Sequence, residues 1–234
     1  MTGSSNPNLE ILLLAVKQLG PIVADMVFLG GCATPLLVTD PASAQARFTR
    51  DVDVITELTS RNDYYRLCAK LRERGFLEDT SEDAPLCRWI SGGILLDVMP
   101  TDAGILGFSN RWYGPAIEKS AERTLPSGHT IRLVTAPYFL ATKLEAFYGR
   151  GGGDYMASHD MEDIVSLIDG RRELIGEILQ DDNELRDYLK ENFSVLLNIP
   201  DFLHALPGHL PPDAAGQARL PLLIERIRNI AGLE

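Results

Sequence analysis

The sequence predicts an α+β protein: a mixed β-sheet core with flanking helices over residues 1–135, then a mostly helical part over residues 136–234. Three observations carry this. Short apolar or alternating runs bounded by glycine, the signature of strands, fall in the first two-thirds of the chain. Helical periodicity is interleaved with them there and continues alone beyond Arg171, punctuated by Pro200, Pro207, Pro211 and Pro212. A chain of 234 residues with 45% hydrophobic and 24% charged side chains is long enough to bury a core of that kind.

The elements follow in order. Met1 to Pro7 reads as a disordered start. Leu9 to Leu19 reads as a helix ended by Gly20 and Pro21. "MVFLGG" is a short apolar strand running into a double glycine, and "CATPLLV" starts a short helix. "DVDVIT" is the second strand. Residues 61 to 74 form the clearest helix, with Ser60 as N-cap, Tyr64, Leu67, Cys68 and Leu71 as an apolar stripe, and Gly75 at the stop. "CRWIS" and "ILLDVMP" are strands joined by a hairpin turn at Gly92-Gly93, and "HTIRLV" is a further strand. A helix from Ala136 to Arg150 is broken by Gly151 to Gly153, and Ser158 caps the next, "HDMEDIVSLID".

The formal charge of −11, from 22 basic and 33 acidic side chains, argues against a general nucleic-acid-coating protein, though not against a local basic patch. Cys32, Cys68 and Cys87 are odd in number and widely spaced, which suits neither a disulfide framework nor a zinc pattern and suits a reducing compartment. Cys68 reads as a small core residue. The apolar run "ILLLAV" lacks a basic leader and is too short for a signal peptide or a membrane span, so a cytoplasmic protein with no membrane partner is expected.

Asp51 and Asp53 are the informative residues. Strand side chains alternate, so both carboxylates share one face while Val52 and Val54 share the other. About 6.6 Å apart, they repel unless a cation or solvent lies between them. A strand end facing water is the plain alternative. Gly30-Gly31, between strand and helix, lets backbone N–H groups approach an anion, although ordinary turn geometry by itself accounts for a glycine pair. Phosphate donors beside clustered carboxylates suit Mg²⁺-nucleotide chemistry, because Mg²⁺ takes one or two carboxylates together with substrate phosphates. Asp97 is a third strand-borne acid, in "ILLDVMP". A lone charge there costs several kcal/mol unless it is paired or lies at the exposed strand end. Three such acids suggest two cations about 3.5–4 Å apart.

These stretches resemble a known family. "FLGGCATPLLV…RFTRDVDVI" is similar to the signature of the nucleotidyltransferase superfamily, specifically its AbiEii-type branch, which includes toxins of type IV toxin–antitoxin systems. Gly30, Gly31, Cys32 and Ala33 match its Gly-Gly-x-Ala stretch. Arg47, Phe48, Thr49, Arg50, Asp51, Val52 and Asp53 match its Arg-Phe-Ser/Thr-x-Asp-x-Asp element. "TKLEAFYGR…SHDMEDI" resembles its lysine-bearing helix and the following Asp-x-x-Asp helix, with Lys143, Asp160 and Asp163 in those positions. The resemblance spans roughly residues 26 to 170.

It implies a nucleotidyltransferase fold and the transfer of NMP from an NTP to an acceptor hydroxyl (of a tRNA 3′ end, a protein or a small molecule) with release of pyrophosphate. Mg²⁺ or Mn²⁺ is the implied cofactor, and an antitoxin protein a possible partner. Gly30 and Gly31 would cradle the nucleotide phosphates, with Cys32 beside them. Asp51 and Asp53 would hold metal, and Asp97 would be the third ligand, assisting deprotonation of the acceptor. Lys143 would contact the triphosphate, with Asp160 and Asp163 supporting it or the acceptor pocket. Acids in a first helical turn also simply favour the helix dipole. Cys32 departs from the pattern: serine or threonine is usual there, and a hydroxyl is lost. Two other readings stand beside this one, a degenerate nucleotidyltransferase-like domain that binds without turnover and an acidic adaptor. His159, Arg47 and Arg50 read as solvated residues or as parts of the site.

Overall fold

The computed structural model describes residues 6–150 and 153–232. The expected start at residues 1–5 and the break at Gly151 and Gly152 lie outside these. The chain forms two compact units, one of residues 1–35 and 48–135, the other of residues 36–47 and 136–234. Residues 36–47, grouped with the N-terminal part on sequence, thus cluster with the C-terminal helices.

In the first unit, α1 (Pro7–Leu19) opens at Asn6, whose side chain accepts from the Asn8 and Leu9 amides. Asn6 and Pro7 are therefore an ordered helix start rather than a disordered lead, with proline where its missing N–H costs nothing. A 3₁₀ turn (Gly20–Asp25) leads to β1 (Val27–Leu29); the one-turn helix α2 (Thr34–Leu37) begins in this unit and ends in the other, and β2 (Asp51–Thr56) and α3 (Arg61–Glu73) follow. β3 (Leu77–Glu78), β4 (Arg88–Ser91), β5 (Ile94–Pro100), the short helices α4 (Ala103–Leu106) and α5 (Tyr113–Glu118), β6 (Ala121–Thr124) and β7 (Thr130–Leu133) complete it. The strands make one seven-stranded sheet, ordered β3-β4-β5-β2-β1-β7-β6. It is mixed: β1 runs parallel to β7 and β2 to β5, while β1–β2, β3–β4, β4–β5 and β6–β7 are antiparallel.

Within this unit α1 packs on β2 and β5, burying Leu12, Ala15, Val16 and Leu19. The stretch Pro7–Asp25 is long and apolar enough, at mean hydropathy 1.2, to cross a membrane by length and composition alone. Its helix ends at Leu19, where Gly20 takes φ +59°. On α3, Ser60 accepts from the Asp63 amide, and Leu67, Cys68 and Leu71 are buried, as the stripe predicts. Burial raises the Cys68 thiol above its usual range, consistent with a packing residue.

The second unit is helical: α6 (Ala136–Arg150), α7 (His159–Gly170), α8 (Leu174–Gln180), α9 (Asn183–Leu196), α10 (Pro200–Ala205), α11 (Ala214–Gln217) and α12 (Leu220–Ile230). Ser158 caps α7 through the Met161 amide. Pro200 sits in the first turn of α10, where it is tolerated. Segment 36–47 is tied in by charge. Asp40 accepts from Arg172 and Arg219 at 3.1 Å each and from the Ala42 amide at 3.0 Å. The amide bond and Arg172 hold its carboxyl well below the usual range.

Candidate functional site

Register brings the first group of residues together. Leu29 on β1 stands opposite Asp53 on β2, and Asp53 stands beside Asp97 on the parallel neighbour β5. Gly30, Asp53 and Asp97 therefore lie at one level of the sheet. Asp51 and Asp53 are half-buried on one face while Val52 and Val54 are buried on the other, as strand alternation requires. Residue 30 must be glycine. It takes φ +75°, and a Cβ there would sit 1.8 Å from Asp53 Oδ2. The Asp53 carboxylate lies directly over the glycine turn.

That turn closes on itself. The Ala33 amide donates to Gly30 O and the Thr34 amide to Gly31 O, at 3.1 and 3.3 Å. Cys32 is fully buried, so its thiol lines the interior rather than the turn's outer surface. With a single turn of helix behind it, the macrodipole adds little to anion binding.

The third acid is engaged by a residue that the sequence did not single out. Arg88 on β4 faces Asp97 across the antiparallel β4–β5 pair. Its Nε donates to Asp97 Oδ1 at 2.8 Å and its Nη2 to Asp97 Oδ2 at 2.7 Å, a bidentate fork. Nη2 also reaches Asp51 Oδ2 at 3.3 Å. Thr49 Oγ1 donates to the other Asp51 oxygen, and the Thr49 amide is held by buried Asn8 at 3.1 Å. The Asp97 bonds raise the guanidinium further above its usual range. Beside it, burial and then the nearby charges of Asp97 and Asp53 push the Cys87 thiol up to about 12.

The donor chemistry suits a hard divalent cation in part. Asp51 and Asp53 offer two same-face carboxylates next to backbone amides, a set that matches Mg²⁺ bound with substrate phosphates. Asp97 does not complete a cage: among the described residues no group of three or more acidic, histidine or cysteine side chains is arranged to hold a metal. Its two oxygens are turned to Arg88.

The other predicted residues meet in the second unit. Lys143 on α6 is buried, with Nζ 2.7 Å from Asp163 and 3.1 Å from Asp160 on α7. Arg150 grips Asp160 at 3.0 and 3.1 Å, and Arg47 reaches Asp163 at 3.2 Å. Arg47 is thus part of this network, and so is Arg150, which the sequence reading passed over. It lies seven residues beyond Lys143 on α6, hence on the same helix face. His159 and Arg50 are exposed. His159 Nδ1 lies 3.5 Å from Glu162.

An antigenic nucleotidyltransferase-like protein from Paracoccidioides brasiliensis is similar in structure, with 21% identity and a TM-score of 0.50 over 88% of this chain and 94% of that one. JHP933 from Helicobacter pylori aligns at 14% identity and a TM-score of 0.49, covering 97% of this chain and 93% of that one. No family profile and no curated protein matches the chain. The sheet and its helices thus form a nucleotidyltransferase-like α+β fold.

Proposed function

We propose that this chain is a metal-dependent nucleotidyltransferase that moves NMP from an NTP to an acceptor hydroxyl and releases pyrophosphate. The observation that carries the reading is the apposition of Asp53 and Gly30, a carboxylate over a glycine turn that admits no side chain, with Asp51 on the same face. Gly30 and Gly31 offer backbone to the phosphates. Asp51 and Asp53 are the residues that would hold Mg²⁺ or Mn²⁺, which when bound neutralises phosphate charge. The acceptor oxygen attacks the α-phosphorus, the bond to the bridging oxygen breaks, and pyrophosphate leaves with that electron pair. Asp97 is assigned to receiving the acceptor proton. For such chemistry the protein supplies position and charge rather than a covalent intermediate.

The role of Lys143 at the triphosphate, with Asp160 and Asp163 positioning it, rests on the AbiEii-type resemblance, as do a toxin role, an antitoxin partner and a cytoplasmic setting. A tRNA 3′ end, a protein or a small molecule each suits the acceptor. A second reading, a degenerate domain that binds nucleotide or a partner protein without turnover, is favoured by the buried thiol of Cys32 and the Arg88 fork on Asp97. One experiment separates them: incubation with each labelled NTP, Mg²⁺ and fractionated cell lysate. Label transferred to one acceptor class supports the transferase; nucleotide binding without transfer supports the degenerate domain.

A further inference from the structure

We propose that Arg88 is a positioning residue that withholds Asp97 from a divalent cation, and that an anionic ligand, the triphosphate of a nucleotide, draws Arg88 away and completes the metal site. The inference rests on the nucleotidyltransferase reading. Three observations support it. The fork occupies one lone pair on each Asp97 oxygen, and the same guanidinium reaches Asp51. Arg88 retains 20% side-chain exposure against 10% for Asp97, so the arginine is the partner an incoming ligand can reach. Finally, planar guanidinium forks bind phosphate as well as carboxylate, so a triphosphate is a chemically matched competitor for this one.

The arrangement orders events. While Arg88 lies on Asp97, a cation draws on Asp51 and Asp53. When the guanidinium turns to phosphate, Asp97 loses its counter-ion and becomes available to the cation or to the acceptor proton. Arg88 is assigned neither the acceptor proton nor the breaking bond.

Mn²⁺ binding to the full chain, measured without nucleotide by electron paramagnetic resonance, tests this. Arg88→Met should raise Mn²⁺ affinity about tenfold, the scale set by removing a unit positive charge about 5 Å from a dication in solvent. Adding Asp97→Asn should erase that gain, which a merely structural role for Arg88 would not produce. Unchanged or weaker Mn²⁺ binding by a folded Arg88→Met variant overturns the proposal. If that variant fails to fold, Arg88→Lys keeps the charge but loses the fork. It should then show a gain of about threefold, again erased by Asp97→Asn. No gain with Arg88→Lys overturns the proposal as well. Asp53→Asn in the parent chain reports separately on the metal reading: if it leaves Mn²⁺ affinity unchanged, that reading fails whatever the Arg88 variants do.

Discussion

The two charged clusters of this molecule use the same side chains to opposite ends. On the sheet, Arg88 binds Asp97 and Asp51 next to Asp53, and Asp51 keeps 35% of its side-chain surface in solvent. In the helical unit, Lys143, Arg47 and Arg150 are matched by three carboxylates, Asp160, Asp163 and Glu162, and Asp163 is 1% exposed. The first cluster has an open side. The second consumes its charge internally. Buried charges persist only when paired, so the helical cluster is explained by its own ion pairs, whereas the half-buried Asp51 and Asp53 of the sheet leave room for the cation proposed above. A charged residue thus points to a ligand less by its identity than by how far its surroundings leave it open to one.

The largest expected effect lies on the sheet. Asp53→Asn should lower NMP transfer by on the order of 10²–10³ while circular dichroism stays unchanged, because it removes charge stabilisation without altering shape. An active variant would reduce the sheet cluster to a structural one. Lys143→Ala should act mainly on stability. It leaves each of two largely buried carboxylates with an arginine but without its buried lysine, and should cost about 1.5–3 kcal/mol in urea unfolding. A variant of parental stability that binds NTP more weakly would reverse the contrast between the clusters.

Gly30→Ala comes next. Its Cβ would enter the space of the Asp53 carboxylate at positive φ, so about 1–3 kcal/mol of stability should be lost, and NTP affinity with it. A pH effect follows from Asp40. Its folded carboxyl is held below its unfolded value, so its contribution is in force above about pH 4 and is lost as pH falls further. Thermal stability should decline on acidification below about pH 4, and less steeply in Asp40→Asn. The smallest effect is expected from the exposed Lys70–Asp25 pair, both partners 54% exposed, where Lys70→Ala should cost below about 1 kcal/mol.

Much of this was legible beforehand where local chemistry decides structure. The bounds of β2 and α6, the Ser60 and Ser158 caps and the Gly92-Gly93 hairpin all come from nearby residues. β6 was not legible, since all four of its residues are exposed and no apolar alternation marks them. The two-residue β3 was not legible either, and the β1–β7 and β2–β5 parallel pairings are set by contacts distant in sequence. Arg88 is an instructive omission. A two-residue turn at Gly92-Gly93 pairs Ser91 with Ile94, and counting outward pairs Arg88 with Asp97. The hairpin register alone carries that contact, but the resemblance groups Asp97 with Asp51 and Asp53 and not with its own hairpin partner.

Crystals grown with Mn²⁺ and a non-hydrolysable NTP analogue provide the most direct test. Anomalous density should appear within coordination distance of both Asp51 and Asp53, with the triphosphate against Gly30 and Gly31. Nucleotide bound elsewhere, or manganese bound away from those two aspartates, would contradict it.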